Sequence, residues 1–171
     1  MEIMKLKDQP GYHFVALTQP GDYAALLPFG ETFEFHNVAL NVGRPIDADF
    51  FAHLLATQDL FIWRMEPDDR QQKVAYATLC RYAMAEQAYV FCPEGWDNTA
   101  VAAGLEAISQ AVFSEVPKCQ YLWTCLPLPE PEDSEETLLI MGYTYTPASL
   151  DRGRRRTFGL SREVFTAYHE G

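Results

Sequence analysis

The clearest pattern in the chain lies at Val101, Leu105, Ile108 and Val112, whose spacings of 4, 3 and 4 place one apolar stripe on a helix. Pro117 ends that helix, because its ring cannot continue the hydrogen-bonded turn. Upstream the period shortens. His13 to Leu17 reads as a strand, and Leu60 to Met65 and Lys73 to Ala83 read as two more, joined at the turn Pro67-Asp68-Asp69-Arg70. Ala88 to Phe91 is a further short strand, stopped at Cys92-Pro93. Asp22 caps a short helix from Tyr23 to Leu27. Asp47 caps a second helix, with Phe50, Phe51, Leu54 and Leu55 as its stripe, while residues 29–45 are ambiguous. Gln120 to Leu126 alternates, with Tyr121, Trp123 and Cys125 on one face and Leu122 and Thr124 on the other. Glu135 to Met141 reads as a short helix ended by Gly142. Tyr143 to Thr146 and Arg155 to Leu160 then form a closing hairpin. The order β, α, α, β, β, β, α, β, α, β, β gives an α+β (mixed α/β) domain built on a mixed sheet.

Composition narrows the picture. The 171 residues suffice for one domain, and a 48% hydrophobic, 13% aromatic content is that of a packed globule. A formal net charge of -11 repels nucleic acid and anionic membrane and favours amine-bearing partners. No apolar run reaches the roughly 20 residues of a membrane span. The N-terminus, MEIMKLKDQPGYHF, has no signal-peptide core, so a cytoplasmic location is the expectation. Cys80, Cys92, Cys119 and Cys125 lack CxxC spacing and read as reduced thiols. His13, His36, His53 and His169 are scattered, and no metal site is expected. The segment LPLPEPEDSEET (126–137) is an acidic, proline-rich loop, and Arg152, Arg154, Arg155 and Arg156 read first as its counter-charge and second as a clamp for an anionic ligand.

The junction CPEGWDNTAVAAGL (92–105) carries the candidate chemistry. A strand running into a helix N-terminus is a common anion site, because the first helical amides have no internal partner. The turn ahead of the helix, residues 92–97, has one glycine, two acids and no lysine or arginine.

Several phrases resemble the GNAT family of acetyl-CoA-dependent N-acetyltransferases. YHFVALTQPGDYAALLP looks like its first strand and helix, KVAYATLCRY its third strand and AYVFCPEGW its fourth. AISQAVFSEVPKCQYLWTCL is similar to its long helix and fifth strand. LLIMGYTYTP is similar to its Gly-aromatic segment, and RRTFGLSREVF to its closing strand. The resemblance spans about residues 11–168 of a single GNAT-like domain (1–171), and its tone is nearest the ribosomal-protein and amino-terminal acetyltransferase branch. It implies a V-splayed sheet of six to seven strands flanked by about four helices, with acetyl-CoA or another acyl-CoA as cosubstrate between the fourth and fifth strands. On this resemblance the backbone of Val90, Phe91 and Cys92 pairs with CoA, which also lies near Asn98, Thr99, Ala100 and Ala102. Glu86 is the candidate general base, against the simpler reading of an exposed carboxylate at a strand entrance. Tyr82 and Tyr89 read as packing residues.

The departures matter as much. The family loop, Gln/Arg-x-x-Gly-x-Gly/Ala, falls on Asp97-Asn98-Thr99-Ala100-Val101-Ala102, and Leu138 stands where many members carry a thiolate-protonating Tyr. Asp97 as a cap is worth about 1 kcal/mol. Its repulsion of a diphosphate charge at about 4 Å is roughly 4 kcal/mol at an effective dielectric near 20. Repulsion therefore wins unless the carboxylate turns away, which an Asn98 cap would allow. The expected function is an acyl-CoA-dependent N-acyltransferase acting on a small-molecule or peptide amine, with a degenerate CoA loop. The alternative is a catalytically silent binding or regulatory module that forms a homodimer or holds a partner through Tyr121 and Trp123. An aminoacyl-tRNA donor is disfavoured by the net charge.

Overall fold

Alternating apolar residues at Phe61, Trp63 and Met65 and at Ala75, Ala77 and Leu79 give two strands one shared buried face. They form the antiparallel pair β2 (Leu60–Pro67) and β3 (Ala75–Cys80). β1 (Tyr12–Ala16) adds to the far side of β2, and β4 (Gln87–Phe91) to the far side of β3. The computed structural model describes residues 4–19, 60–81, 86–127, 129–146 and 156–170, together with positions 22, 49, 52, 53, 56 and 57.

After β4 the chain crosses through α1 (Asn98–Glu115) to β5 (Tyr121–Cys125), then passes α2 (Ser134–Ile140) to β6 (Thr144–Thr146) and β7 (Thr157–Ser161). The result is one seven-stranded sheet in the order β1-β2-β3-β4-β5-β7-β6. Among the described strands only β4 and β5 run parallel, as the crossover helix between them requires. Their contact is brief, with a single register pair, Gln87 opposite Trp123, and one bond from the Trp123 amide to the Glu86 carbonyl (2.9 Å). The mixed sheet is thus splayed at its middle, as expected.

α1 buries the expected stripe of Val101, Leu105, Ile108 and Val112, and with it Ala100, Gly104, Ala107 and Ala111. The small residues let the helix lie close on the sheet. A Cβ at Gly104 would stand 2.4 Å from Val90 Cγ2, so glycine is needed there for the approach of α1 to β4. Phe158 and Leu160 of β7, Leu122 of β5 and Leu138 of α2 extend this core across the splay.

Two expectations are adjusted. The sequence ends the fold with a strand, whereas Arg162–Glu170 forms a further helix, α3. Val164, Phe165 and Tyr168 lie at helical spacing, and Val164 and Phe165 pack on the core, although none of its residues is fully buried. It is held by Phe165 against Phe113 (ring centroids 4.9 Å) and by Arg162. The closing hairpin keeps its pairing but shifts by one to two residues, with Thr144 opposite Gly159 and Thr146 opposite Thr157. The predicted helix Tyr23–Leu27 and the stripe Phe50, Phe51, Leu54 and Leu55 lie outside the described residues, while the described positions 49, 52, 53 and 56 between and beside that stripe are helical. Gly142 does end α2, with a φ of +98° that favours glycine.

Candidate functional site

The splay creates the site. Beyond Gln87 the strands part, and by strand alternation the backbone of Val90 faces the gap that β5 vacates. Among the described residues β5 supplies Val90 with no partner. Such an edge accepts an extended, amide-bearing chain by adding its hydrogen bonds to the sheet.

The gap opens toward the N-terminus of α1. Cys92 turns the chain, its carbonyl accepting from the Gly95 amide (3.1 Å), and Gly95 takes the positive φ of +118° that the turn needs. Asp97 is the N-cap. Its carboxylate accepts from the amides of Thr99 (2.9 Å) and Ala100 (3.4 Å), and its carbonyl accepts from Val101 (3.0 Å). Three of the first four helical amides are therefore satisfied by Asp97 itself, leaving at most the Asn98 amide for a ligand. Asn98 does not replace Asp97 as cap. Its side chain accepts from Trp96 Nε1 (2.6 Å) and donates to the Glu132 carbonyl (3.2 Å), tying the helix start to the acidic loop. Ala100 is 1% exposed, so its methyl group belongs to the core and not to a phosphate cradle.

Val90, Phe91, Cys92, Asn98, Thr99, Ala100 and Ala102 are thus gathered where β4 passes into α1. Glu86 is not with them. It precedes the other end of β4, about 20 Å from Cys92 along an extended strand. There its carboxylate pairs with Arg81 Nε (2.9 Å) and acts on the Cys119 thiol near the C-terminal end of α1. Its Oε2 is buried with no hydrogen-bond partner among the described residues. The ion pair with Arg81 suits a structural anchor better than a base poised to take a proton.

Tyr89 is buried, as a packing residue is. Its burial pushes the hydroxyl far above the ordinary phenol range, and the sulfurs of Cys125 and Cys92 add to that shift. The two cysteines stand at the ends of the diverging strands, and both act electrostatically on the phenol. A proton held this firmly makes Tyr89 a standing hydrogen-bond donor, not an acid that ionises freely. Only the strand alternation of Tyr89 against Ala88 and Val90 hinted that its ring leaves the α1 face. Tyr82 lies outside the described residues. Burial also raises the Cys92 thiol, with the Asp97 carboxylate adding to the shift and the Asp97 backbone amide opposing it. A thiol kept protonated is a poor nucleophile.

Arg156 bonds Glu130 (2.8 Å) and Glu135 (2.8 Å) and stacks over Phe158 (5.3 Å), so at this residue the basic cluster pairs with the acidic loop as expected. Arg152, Arg154 and Arg155 lie outside the described residues.

No family model matches the sequence, and no curated protein does. Solved structures match throughout. A mutant of the spermidine N-acetyltransferase SpeG from Vibrio cholerae superposes with a TM-score of 0.61 at 10% identity, over 94% of this chain and 99% of that one. SpeG in complex with manganese ions gives 0.59 at 11% identity, covering 93% and 97%. A probable acetyltransferase gives 0.54 at 13% identity, covering 92% and 96%. The chain carries the GNAT fold. An acyl-CoA, the cosubstrate that the family resemblance implies, would meet different surroundings with its two halves here. The pantetheine arm fits, since the open edge at Val90 offers backbone to its amides. The diphosphate does not fit, since the Asp97 carboxylate holds the amides it would take. Among the described residues no group of three or more His, Cys, Asp or Glu is placed to hold a metal ion, and no helix is long and apolar enough to cross a membrane.

Proposed function

We propose that the protein is an N-acyltransferase that passes an acyl group from a thioester to an amine. The observation that carries this reading is the β4–β5 splay, reduced to one register pair and opening beside Tyr89. In the transfer the neutral amine nitrogen attacks the thioester carbonyl. A C–N bond forms, the C–S bond breaks, and the sulfur leaves with the electron pair. The proton lost from nitrogen ends on the released thiol. Holding the two reactants together supplies most of the acceleration. Tyr89 donates a hydrogen bond to the departing sulfur, a role that Leu138 cannot fill. With Glu86 tied to Arg81, the amine must arrive already deprotonated or lose its proton to water. The net charge of -11 supports an acceptor that is cationic in bulk solution, and the structural neighbours named for spermidine acetylation accord with that class.

The test is thiol release from acetylpantetheine and from acetyl-CoA, read with a thiol-reactive chromophore against spermidine, small amines and amino-terminal peptides. Release above the uncatalysed rate with at least one pair is expected. Tyr89→Phe keeps the buried ring and should lower kcat about a hundredfold with little change in KM. Background rates with every donor and acceptor would sink the proposal.

A second reading is supported by Asp97, whose carboxylate closes the helix amides. It is a silent GNAT-fold module that binds a partner or a second copy through Tyr121, which is 52% exposed and stacks on Trp123 (5.5 Å). Turnover in the same assay refutes it.

A further inference from the structure

The two halves of the site point to different donors. The strand edge at Val90 is open to a pantetheine arm, while the end of α1 has already taken an anion of its own. Asp97 is half-buried, and residues 92–101 contain two carboxylates, Glu94 and Asp97, and no cation. Nearby, the buried Tyr12 hydroxyl lies within electrostatic reach of Asp97 and has no partner among the described residues, but a neutral phenol does not cancel a charge. A diphosphate at this helix end would need to displace the carboxylate from two amides and then lie beside it. Resting on the acyltransferase reading above, we infer that Asp97 is a specificity determinant against diphosphate-bearing donors, and that the protein takes a pantetheine-type thioester lacking the diphosphate. The reaction is unchanged in balance. The acyl carbon exchanges its bond to the pantetheine sulfur for one to the amine nitrogen, and the proton goes to the thiol.

Two features make this more than a capped helix. The cap residue is charged where Ser, Thr or Asn would cap as well. Asn98 is fixed by Trp96 and Glu132 and is not available to take over the cap.

The experiment compares kcat/KM for S-acetylpantetheine and acetyl-CoA with one acceptor, on the wild-type chain and on Asp97→Asn. Asparagine keeps the capping oxygen and removes the charge. The wild type should favour acetylpantetheine by about a hundredfold or more at low salt, and added salt should narrow that ratio. Asp97→Asn should bring the ratio down by about a hundredfold, chiefly by improving acetyl-CoA. Equal use of both donors by the wild type, or a ratio that Asp97→Asn leaves in place, overturns the assignment while the acyltransferase reading stands. Turnover of neither donor overturns both. Calorimetric titration of the same two thioesters needs no acceptor. Tighter binding of acetyl-CoA than of acetylpantetheine would overturn the assignment by itself.

Discussion

The two ends of α1 solve the same problem in opposite ways. Each leaves backbone groups without helical partners, amides at the start and carbonyls at the finish. At the start, Asp97 meets the amides of Thr99 and Ala100 from two and three residues away. At the finish, the Arg162 guanidinium donates to the carbonyls of Phe113 (2.7 Å), Val116 (2.7 Å) and Cys119 (2.8 Å) from 43 to 49 residues away. Both charges also suit the helix dipole. One cap is local and shuts a place where a ligand would bind. The other is distant and joins α1, β5 and α3 into one body. A helix end can therefore be spent on recognition or on architecture; the finish of α1 serves architecture, while the cap at its start also bears on which anions can approach.

The largest effect should come from the distant cap. Arg162 is the only described side chain recorded as donating to these three carbonyls, and it lies over the Phe113 ring (5.1 Å) as well. Arg162→Met keeps the stem and deletes the fork, which should destabilise the fold by about 3 kcal/mol, since each charged hydrogen bond contributes about 1.5–3 kcal/mol and the three are not additive. Arg162→Lys should recover less than half of this, because one ammonium cannot span three diverging acceptors. Urea midpoints measure both. A lysine variant as stable as the wild type would mean that charge at the helix end, not the fork, is what matters.

The local cap should matter less to stability. Asp97→Ala removes the acceptor from two amides and should cost about 1 kcal/mol, while Asp97→Asn should cost little. The comparison breaks if Asp97→Ala is neutral in urea, for the carboxylate would then be a bystander at the helix end. Equal losses for alanine and asparagine would instead show that the negative charge contributes through the dipole.

That contrast also explains what could be read in advance. The stripe of α1, the hairpin of β2 and β3 and the parallel crossover all follow from short-range periodicity, and so does a capping Asp97. The sequence reading weighed Asp97 against Asn98 as cap on energy alone. The Asn98 oxygen that would cap accepts instead from Trp96, and the Glu132 carbonyl, 34 residues away, holds its amide nitrogen. Glu86 was placed at a strand entrance correctly, yet its partner Arg81 follows from the register of β3 against β4, which no local pattern shows. That Tyr89 neighbours the open edge at Val90 depends on where β5 departs, which no local pattern shows either. α3 was missed for a related reason, since its anchor is one arginine that reaches back to α1.

Between the two ends, the middle of α1 meets α3 at His169, and this contact should be the weakest. Its Nδ1 lies 2.8 Å from the Phe165 carbonyl, and its Nε2 meets the Glu106 carboxylate, which also accepts from Gln110 (3.0 Å). Both ring nitrogens face acceptors, so the imidazolium is the form that satisfies them together. The hydrogen bond to Glu106 raises the His169 pKa above its ordinary value of 6.5, with burial opposing and the Phe165 carbonyl assisting. A folded pKa above the unfolded one contributes stability that is complete below 6.5 and disappears as pH rises through the higher folded value. The ring is 37% exposed, so the change is small. Urea midpoints should fall slightly from about pH 6 to about pH 9, and NMR should place the ring titration above the ordinary histidine value. Glu106→Gln should return that titration toward the ordinary range and flatten the pH dependence. A His169 that titrates normally in the wild-type chain would reduce the junction of α1 and α3 to Arg162 and the Phe113–Phe165 contact.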